Sequence, residues 1–519
     1  MPRLRFYWVV AACGAVVMAL EILASRVLAP AFGNSVYVWG SIISVFLAAL
    51  AAGYRLGGHL ADRQPSLVAL GRLVLFAALS EALLLLFGKP LATALGHATG
   101  GSPAGTLVAT ALLFGPASLL LATVSPYAVR LAAHDLGHLG DTAGRLFALS
   151  TAGSLVGTLG CTFVLIPFLE LRAIFGLLVA ATAATGAVAL AGGGRRERWS
   201  WALVVALVAV ALVRGLWPEA LPAGVLYSGI TPYQSLEVGD LDERRYLTSN
   251  GMLEGAIITA DGEPGLAYAR TVALAALFQP QLRRALFLGM GAANAGTYLQ
   301  RRLPALEVDY VDIDPQVPRL ARRFFGFEDG PQSRVHVADA RRFLAASRES
   351  WDLVFTDTYI GLAVPFHLTT REFMSEVQRH LAPGGVFGMN LAAGLDDPFS
   401  QAIYRTVRDS FPSARAFAAR GSSNVVLLAG PGAEGYLPDL QARARQLDRK
   451  WPFSPSLRTL LAMQLTVEPD LTTPVLRDDF APVEHLIPVG RMRAVDTARW
   501  RELRAAGLGA ADGAPAEEH

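Results

Sequence analysis

Cysteine is all but missing from this chain. Of its 519 residues only Cys13 and Cys161 are cysteines, and both lie inside long apolar runs. That placement argues against a disulfide framework and against a thiolate metal site. Lysine is equally scarce, with Lys89 and Lys450 alone among 45 basic residues. The arginines form no dense block and the formal net charge is +2, so the composition points to no nucleic-acid partner. Charge of either sign is sparse from Phe6 to about Trp217, where Leu, Ala and Val dominate. From about Leu221 onward the composition is that of an ordinary globular enzyme. Over the whole chain 53% of residues are hydrophobic and the mean hydropathy is +0.39, high for a soluble protein. At roughly 150 residues per domain, this length suggests two to four units.

A bilayer core takes about 20 predominantly apolar helical residues. Seven stretches qualify: Tyr7–Ala29, Tyr37–Leu56, Leu67–Phe87, Thr106–Ala128, Leu146–Leu169, Ala173–Ala191 and Trp199–Leu216. The first is too long for a signal-peptide core, carries Glu21 and is followed by six more, so it reads as a retained span. Pro116, Pro126 and Pro167 fall inside spans, where neighbouring helices satisfy the freed carbonyls. The expected plan is a multi-span membrane region over 1–220, a small β-sheet over 221–265, an α/β domain over 266–500 and a flexible tail over 501–519. The lipid bilayer is then a partner, and the sequence leaves a homo-oligomer open.

Orientation sets two arguments against each other. Arg3, Arg5, Arg63, Arg130, Arg145, Arg195, Arg196 and Arg198 share one set of span ends, which the positive-inside rule puts in the cytoplasm with the N-terminus. Seven spans would then leave the second half outside. Metabolites of the kind inferred below are made in the cytosol, and the expectation adopted here is a multi-pass cell-membrane protein with a cytosolic α/β domain. Within the spans, Glu21, Arg26 and Glu81 are costly charges that mark either a pathway or pairing between helices. The segment Gly53 to Arg63 is similar to the Gly-x-x-x-Asp-Arg loop of major-facilitator transporters, but about seven spans stand where such a transporter would have a dozen.

After Leu221 the hydrophobic period shortens. Gln234–Val238, Arg245–Thr248 and Ala256–Thr259 read as strands of an antiparallel sheet, with an Asn250-Gly251 turn between two of them. A helix is expected over about Leu266–Leu277. Then strands and helices alternate. Arg284–Leu288 leads into Gly289-Met290-Gly291-Ala292-Ala293 and a helix to about Arg301. Val308–Ile313 carries Asp312, with Asp314 just after it; Arg334–Val337 is followed by Asp339; Leu353–Thr356 is followed by Asp357; a helix over Glu372–Leu381 precedes Gly385–Asn390. This alternation predicts a mostly parallel sheet with helices on both faces, and in such sheets ligands bind at the carboxyl ends of the strands. Every acid just named sits at such an end.

The Gly-rich turn lacks the third glycine of a full dinucleotide fingerprint and serves tight packing equally well. Its partner strengthens it: Asp312, 23 residues after Gly289, is placed to accept hydrogen bonds from ribose hydroxyls. Asp339 could receive an adenine amino group. No Lys or Arg sits in the turn, so a nucleoside with an uncharged or cationic tail fits better than a dinucleotide. A strand-end acid such as Asp357 has a structural alternative, capping the next helix.

From about Tyr233 to Asn390 the chain resembles the spermidine synthase family, the polyamine aminopropyltransferases. The matching pieces are Tyr233-Gln234, Asn250-Gly251, the turn at Gly289, Val311-Asp312-Ile313-Asp314, Ala338-Asp339-Ala340, Val354-Phe355-Thr356-Asp357, Leu368 to Phe373 and Pro383-Gly384-Gly385. Glu21 through Arg26, Pro30, Gly33 and Trp39 to Gly53–Arg63 resembles bacterial members with a fused multi-span region. The resemblance implies a Rossmann-like methyltransferase-type fold, decarboxylated S-adenosylmethionine as donor, a small polyamine as acceptor and no metal. It assigns Gln234 and Asp312 to the thionucleoside, Gly289 and Gly291 to the turn beneath it, Asp339 and Ala340 to adenine, and Asp357 to accepting a proton from the attacking amine.

Four departures bear on substrate choice. Ala292 stands where the family has an Asp that binds the aminopropyl ammonium, and Ile360 replaces a second acid. Tyr268-Ala269-Arg270 replaces a Tyr-His-Glu run, and Glu254 replaces a Gln. A cationic amine leaving water needs carboxylates. Losing two weakens that site and removes repulsion against ordinary S-adenosylmethionine. A methyltransferase or aminocarboxypropyl transferase on the same fold is therefore a competing expectation, and a non-enzymatic nucleoside-binding sensor or scaffold is a third.

Overall fold

Long uncharged runs of Leu, Ala and Val leave the backbone one way to satisfy its hydrogen bonds away from water, the α-helix. The computed structural model describes residues 2–33, 35–132, 139–191, 197–216, 221–279, 281–359, 364–434, 437–451 and 453–487. Two units separate at Ala220/Leu221 and are taken in turn.

The first unit contains α1 (Pro2–Phe32), α2 (Val36–Arg63), α3 (Leu67–Thr99), α4 (Pro103–Ala122), α5 (Val124–Ala132), α6 (Leu139–Gly160), α7 (Ile166–Phe168), α8 (Leu171–Leu190) and α9 (Arg198–Leu216). With α4–α5 and α6–α7 each forming one continuous rod, seven helices among the described residues are long and apolar enough to cross a membrane, as the sequence leads one to expect. Pro167 lies just past a π turn at Cys161–Leu165, where the Ile166 N–H donates to the Cys161 carbonyl. The segment that resembles a transporter loop is helical through Arg63, not a turn. Its glycines hold α2 against α4 and α5: a Cβ at Gly53 or Gly57 would lie 2.4 Å from the carbonyl oxygen of Leu119 or Thr123. Asp62 then pairs with Arg130 at 3.1 Å. Glu81 is wholly buried and accepts the Thr182 hydroxyl at 3.1 Å, a pairing between helices α3 and α8.

The second unit opens with four antiparallel strands in sequence order, β1 (Val225–Ile230), β2 (Ser235–Leu241), β3 (Arg244–Ser249) and β4 (Met252–Ile258). Asn250 and Gly251 both have positive φ, 48° and 80°, the tight hairpin turn anticipated from the dipeptide. Strand β1 was not expected, and β4 begins at Met252 rather than Ala256. Next come α10 (Ala267–Thr271) and α11 (Ala275–Phe278), the anticipated helix being interrupted midway by a 3-10 turn at Val272–Leu274.

The larger sheet follows from β5 (Arg284–Leu288), α12 (Asn294–Arg302), β6 (Glu307–Asp312), α13 (Gln316–Phe324), β7 (Ser333–Val337), α14 (Ala340–Ala346), β8 (Trp351–Thr356), α15 (Arg371–Arg379) and β9 (Leu381–Leu391). Strands β5, β8 and β9 carry unbroken apolar runs because helices cover both faces. After α16 (Pro398–Ser410), β10 (Ala414–Ala418), β11 (Val425–Ala429), α17 (Leu437–Lys450), α18 (Leu457–Leu461) and β12 (Gln464–Leu465) complete it. The strand order is β12-β10-β11-β9-β8-β5-β6-β7, with β9 to β7 mutually parallel and β10, β11 and β12 antiparallel to their neighbours. This is the anticipated parallel sheet with an added antiparallel edge. The chain leaves β5 toward β6 and β7, then returns to β8 on the opposite side. The order therefore reverses between β5 and β8, where a ligand crevice forms.

Candidate active site

Gly289 ends β5 with φ 87°, and a Cβ there would lie 2.1 Å from the Asp357 carbonyl oxygen. Only glycine lets the β5 turn and the end of β8 meet, and the Asp357 N–H donates to the Leu288 carbonyl at 2.8 Å to close the join. Above it lies a cavity of about 1030 Å³ lined from β4, α10 and the carboxyl ends of β5, β6, β8 and β9. Typical small-molecule pockets run to about 1,000 Å³, so the space suits a nucleoside together with a second small substrate.

Asp312 stands at the end of β6. One oxygen accepts the Met290 N–H at 3.1 Å and the other the Asp314 N–H at 2.9 Å. These bonds tie it to the Gly-rich turn and fix where its remaining lone pairs point. Burial pushes its carboxyl up to about 6 against those N–H groups, which pull it down.

Gln234, which the resemblance assigns to the thionucleoside, also takes part in a buried hydrogen-bond network. Its Nε2 donates to Asp314 at 3.3 Å and its Oε1 accepts the Ser249 hydroxyl. Asp314 also accepts the Thr231 hydroxyl at 2.6 Å. This buried lattice fastens the small sheet to the loop after β6. Gln234 still lines the cavity, with one amide N–H left over for a ligand.

Asp339 caps α14 through the Arg342 N–H at 2.9 Å and pairs with His367 Nε2 at 3.0 Å. Burial works to raise its carboxyl, but the Arg342 N–H and His367 outweigh it, so it lies below the usual range. Ala340 is buried in the first turn of α14 and completes that rim.

Asp357 shares the raised carboxyl of Asp312 but differs in its partners. Asn390 Nδ2 donates to it at 2.9 Å and is itself held by Asn424 Nδ2 at 3.0 Å. The Tyr268 hydroxyl donates to the Glu254 carbonyl oxygen at 3.0 Å and lies close enough to Asp357 to lower its carboxyl. Asn390 lies near the end of the neighbouring strand β9 and Tyr268 on α10, so the described partners of this carboxylate are side chains. Burial pushes the Asp357 carboxyl up to about 6, with Asn390 and Tyr268 lowering it in part. Burial also raises Tyr268 well above its usual range, aided by the charges of Asp357 and Glu254. Its phenol stays protonated and donates. Arg244, Arg270 and Arg420 reach the cavity lining, yet none is among the causes that shift Asp312 or Asp357. A carboxyl poised near 6 can take a proton at neutral pH.

Tyr268, Asn390 and Asn424 are the residues sequence reasoning missed in this role. Asn390 ends the strand beside β8, a position that could have singled it out. Ile360 lies outside the described residues.

A family model for a methyltransferase domain matches residues 285–385. A polyamine aminopropyltransferase from Vibrio vulnificus is 30% identical over 42% of this chain and 75% of its own length. "Polyamine aminopropyltransferase 2" from Streptomyces coelicolor is 30% identical over 73% of this chain and 71% of its own. That share exceeds the whole second unit, so the likeness extends into the apolar half. A probable polyamine aminopropyl transferase from Bifidobacterium longum is 28% identical over 52% of this chain, which spans 63% of that protein's length.

Proposed function

The chain belongs to the polyamine aminopropyltransferase family, and on that premise we propose that its second unit transfers an aminopropyl group from decarboxylated S-adenosylmethionine to a diamine such as putrescine, held at the membrane by the apolar helices. The observation that carries the reading is Asp357 at the crevice between β5 and β8, with its carboxyl raised to about 6 and Asp312 placed across the Gly-rich turn. Asp312 holds the ribose, and the sulfonium with its methylene lies between the turn and Asp357. The amine nitrogen attacks that methylene. A C–N bond forms and the C–S bond breaks, its electron pair passing to sulfur to give methylthioadenosine. The proton lost from nitrogen goes to Asp357, whose carboxylate Asn390 and Tyr268 aim. Alignment of nucleophile and leaving group supplies the rest. The sulfonium is already a good leaving group, so the scheme needs no metal.

Methyl transfer from intact S-adenosylmethionine is favoured by one observation, the methyl group of Ala292 where a carboxylate would repel that donor's own. The leaving product separates the two. Full-length protein incubated with each donor and a panel of di- and polyamines is expected to release methylthioadenosine, detected by mass, in step with aminopropylated amine. S-adenosylhomocysteine alone sinks the proposal. Neither product moves the reading to a nucleoside-binding sensor or scaffold.

A further inference from the structure

The Asn390 amide has two unlike ends, and only one of them suits a carboxylate. Its Nδ2 donates to Asp357 Oδ1 at 2.9 Å, and its Oδ1 accepts from Asn424 Nδ2 at 3.0 Å. Asn390 is 3% exposed, so neither end can turn to bulk water instead. The sheet register brings the two amides together. Asn390 of β9 pairs with Val426 of β11, and residues two apart on a strand share a face, so Asn424 stands diagonally across from Asn390. Asn424 closes the turn between β10 and β11. Its carbonyl accepts the Ala419 N–H at 2.9 Å, its own N–H donates to the Ser422 hydroxyl at 3.3 Å, and Gly421 between them has φ 80°.

We infer that Asn424 is a positioning residue for the transfer: it locks the Asn390 amide with its N–H toward Asp357 and so keeps that carboxylate able to take the amine's proton. This rests on the transferase reading above. An amide turned end for end fills the same volume, so packing alone does not choose between the two orientations. Turning Asn390 alone would set two donors face to face at Asn424 and two acceptors face to face at Asp357. The second clash is the costly one, because it exchanges a hydrogen bond to the carboxylate for repulsion, and the acid would then hold its proton to a higher pH. The charged and titratable groups around Asp357 come from other elements: Tyr268 on α10, Glu254 on β4, Asp312 on β6, Tyr359 after β8 and Arg420 in the turn that carries Asn424. Arg244, Arg270, Asp339 and His367 line more of the same cavity. Of all these, Tyr268 alone shares with Asn390 the lowering of the Asp357 carboxyl. A change at residue 424 therefore reaches Asp357 through the Asn390 amide. The antiparallel edge of the sheet thus sets the basicity of a group on its parallel part.

The test titrates Asp357 directly, in full-length protein. Infrared difference spectra between about pH 5 and 8 follow the stretch of its protonated carboxyl, identified as the band that Asp357→Asn removes. Wild type is expected to titrate at about 6. Asn424→Ala should titrate about half to one pH unit higher, the shift that losing one ordinary hydrogen bond produces. The acidic limb of kcat should move with it, a loss of roughly 3- to 10-fold below the midpoint and little above it. Asn424→Gln keeps the donor and should return most of the shift. In an Asn390→Ala background, Asn424→Ala should move the midpoint no further, since the lock acts through that amide. An unmoved midpoint in Asn424→Ala, the same shift with and without Asn390, or a loss of kcat equal at every pH overturns the inference. Should Asn424→Ala not fold, Asn424→Ser, whose hydroxyl is too short to reach the Asn390 amide, is read in the same way. The infrared midpoint needs no turnover. A protein whose midpoint moves but which releases no methylthioadenosine therefore refutes the transferase reading and leaves the lock standing.

Discussion

Asp357→Asn is expected to lower kcat by about 10²- to 10⁴-fold, the range that a positioned proton acceptor contributes. Methylthioadenosine affinity should stay within about twofold, because the proposed reaction has Asp357 meet the amine and not the nucleoside. The pH dependence has a definite sign. Burial raises the Asp357 carboxyl to about 6, so the acid is protonated and unable to accept below that value and is a carboxylate above it. Wild-type kcat should therefore fall about tenfold per pH unit below about 6 and level off above it, whereas the Asn variant should be flat across the same window. Steady-state kinetics with saturating donor between pH 5 and 8 reads both, an interval of about one unit below and two above the midpoint. A variant within tenfold of wild type removes Asp357 from the proton transfer.

Asp312→Ala has the second-largest expected effect. Losing the hydrogen bonds of a charged acceptor to ribose should weaken methylthioadenosine binding by about 1.5–3 kcal/mol, roughly 10- to 150-fold. The variant also strands the Met290 and Asp314 N–H groups that Asp312 now satisfies, so its melting temperature should drop. Asp312→Asn keeps one of the two acceptor oxygens, and should recover only part of the stability while remaining a weaker binder. Titration calorimetry giving wild-type affinity for the Ala variant would take Asp312 out of the ribose site.

Much of this architecture was legible in the sequence because its signals are long or doubly supported. The spans are announced by uncharged runs longer than a bilayer needs, and helices formed at all seven. The parallel strands at Arg284, Val308, Arg334 and Trp351 are short, but each is followed by an acid or a glycine that fixes its end. Strand β10 is Ala-rich and β12 is two residues long, so their own patterns are weak, whereas β1 and β11 are apolar runs that were not read as strands. At the site, Asp312 and Asp357 could be found because strand ends are visible in a chain of alternating elements. Gln234 and Tyr268 show the limit. Whether the Gln234 amide faces a ligand or locks Asp314 depends on which buried groups lie across from it, and Tyr268 is brought to Asp357 by a fold that no local spacing encodes. Likewise Asp339 divides its two oxygens between a helix N-terminus and His367, a sharing that only the folded loop after β8 reveals.

A crystal structure of the full-length protein with methylthioadenosine and putrescine bound tests the central claim most directly. The account predicts the ribose hydroxyls on Asp312 and an amine nitrogen within hydrogen-bonding distance of the Asp357 carboxylate, about 2.6–3.2 Å, on the line to the sulfur. A nucleoside lodged away from Asp312, or a diamine held where its nitrogen cannot reach Asp357, would contradict it.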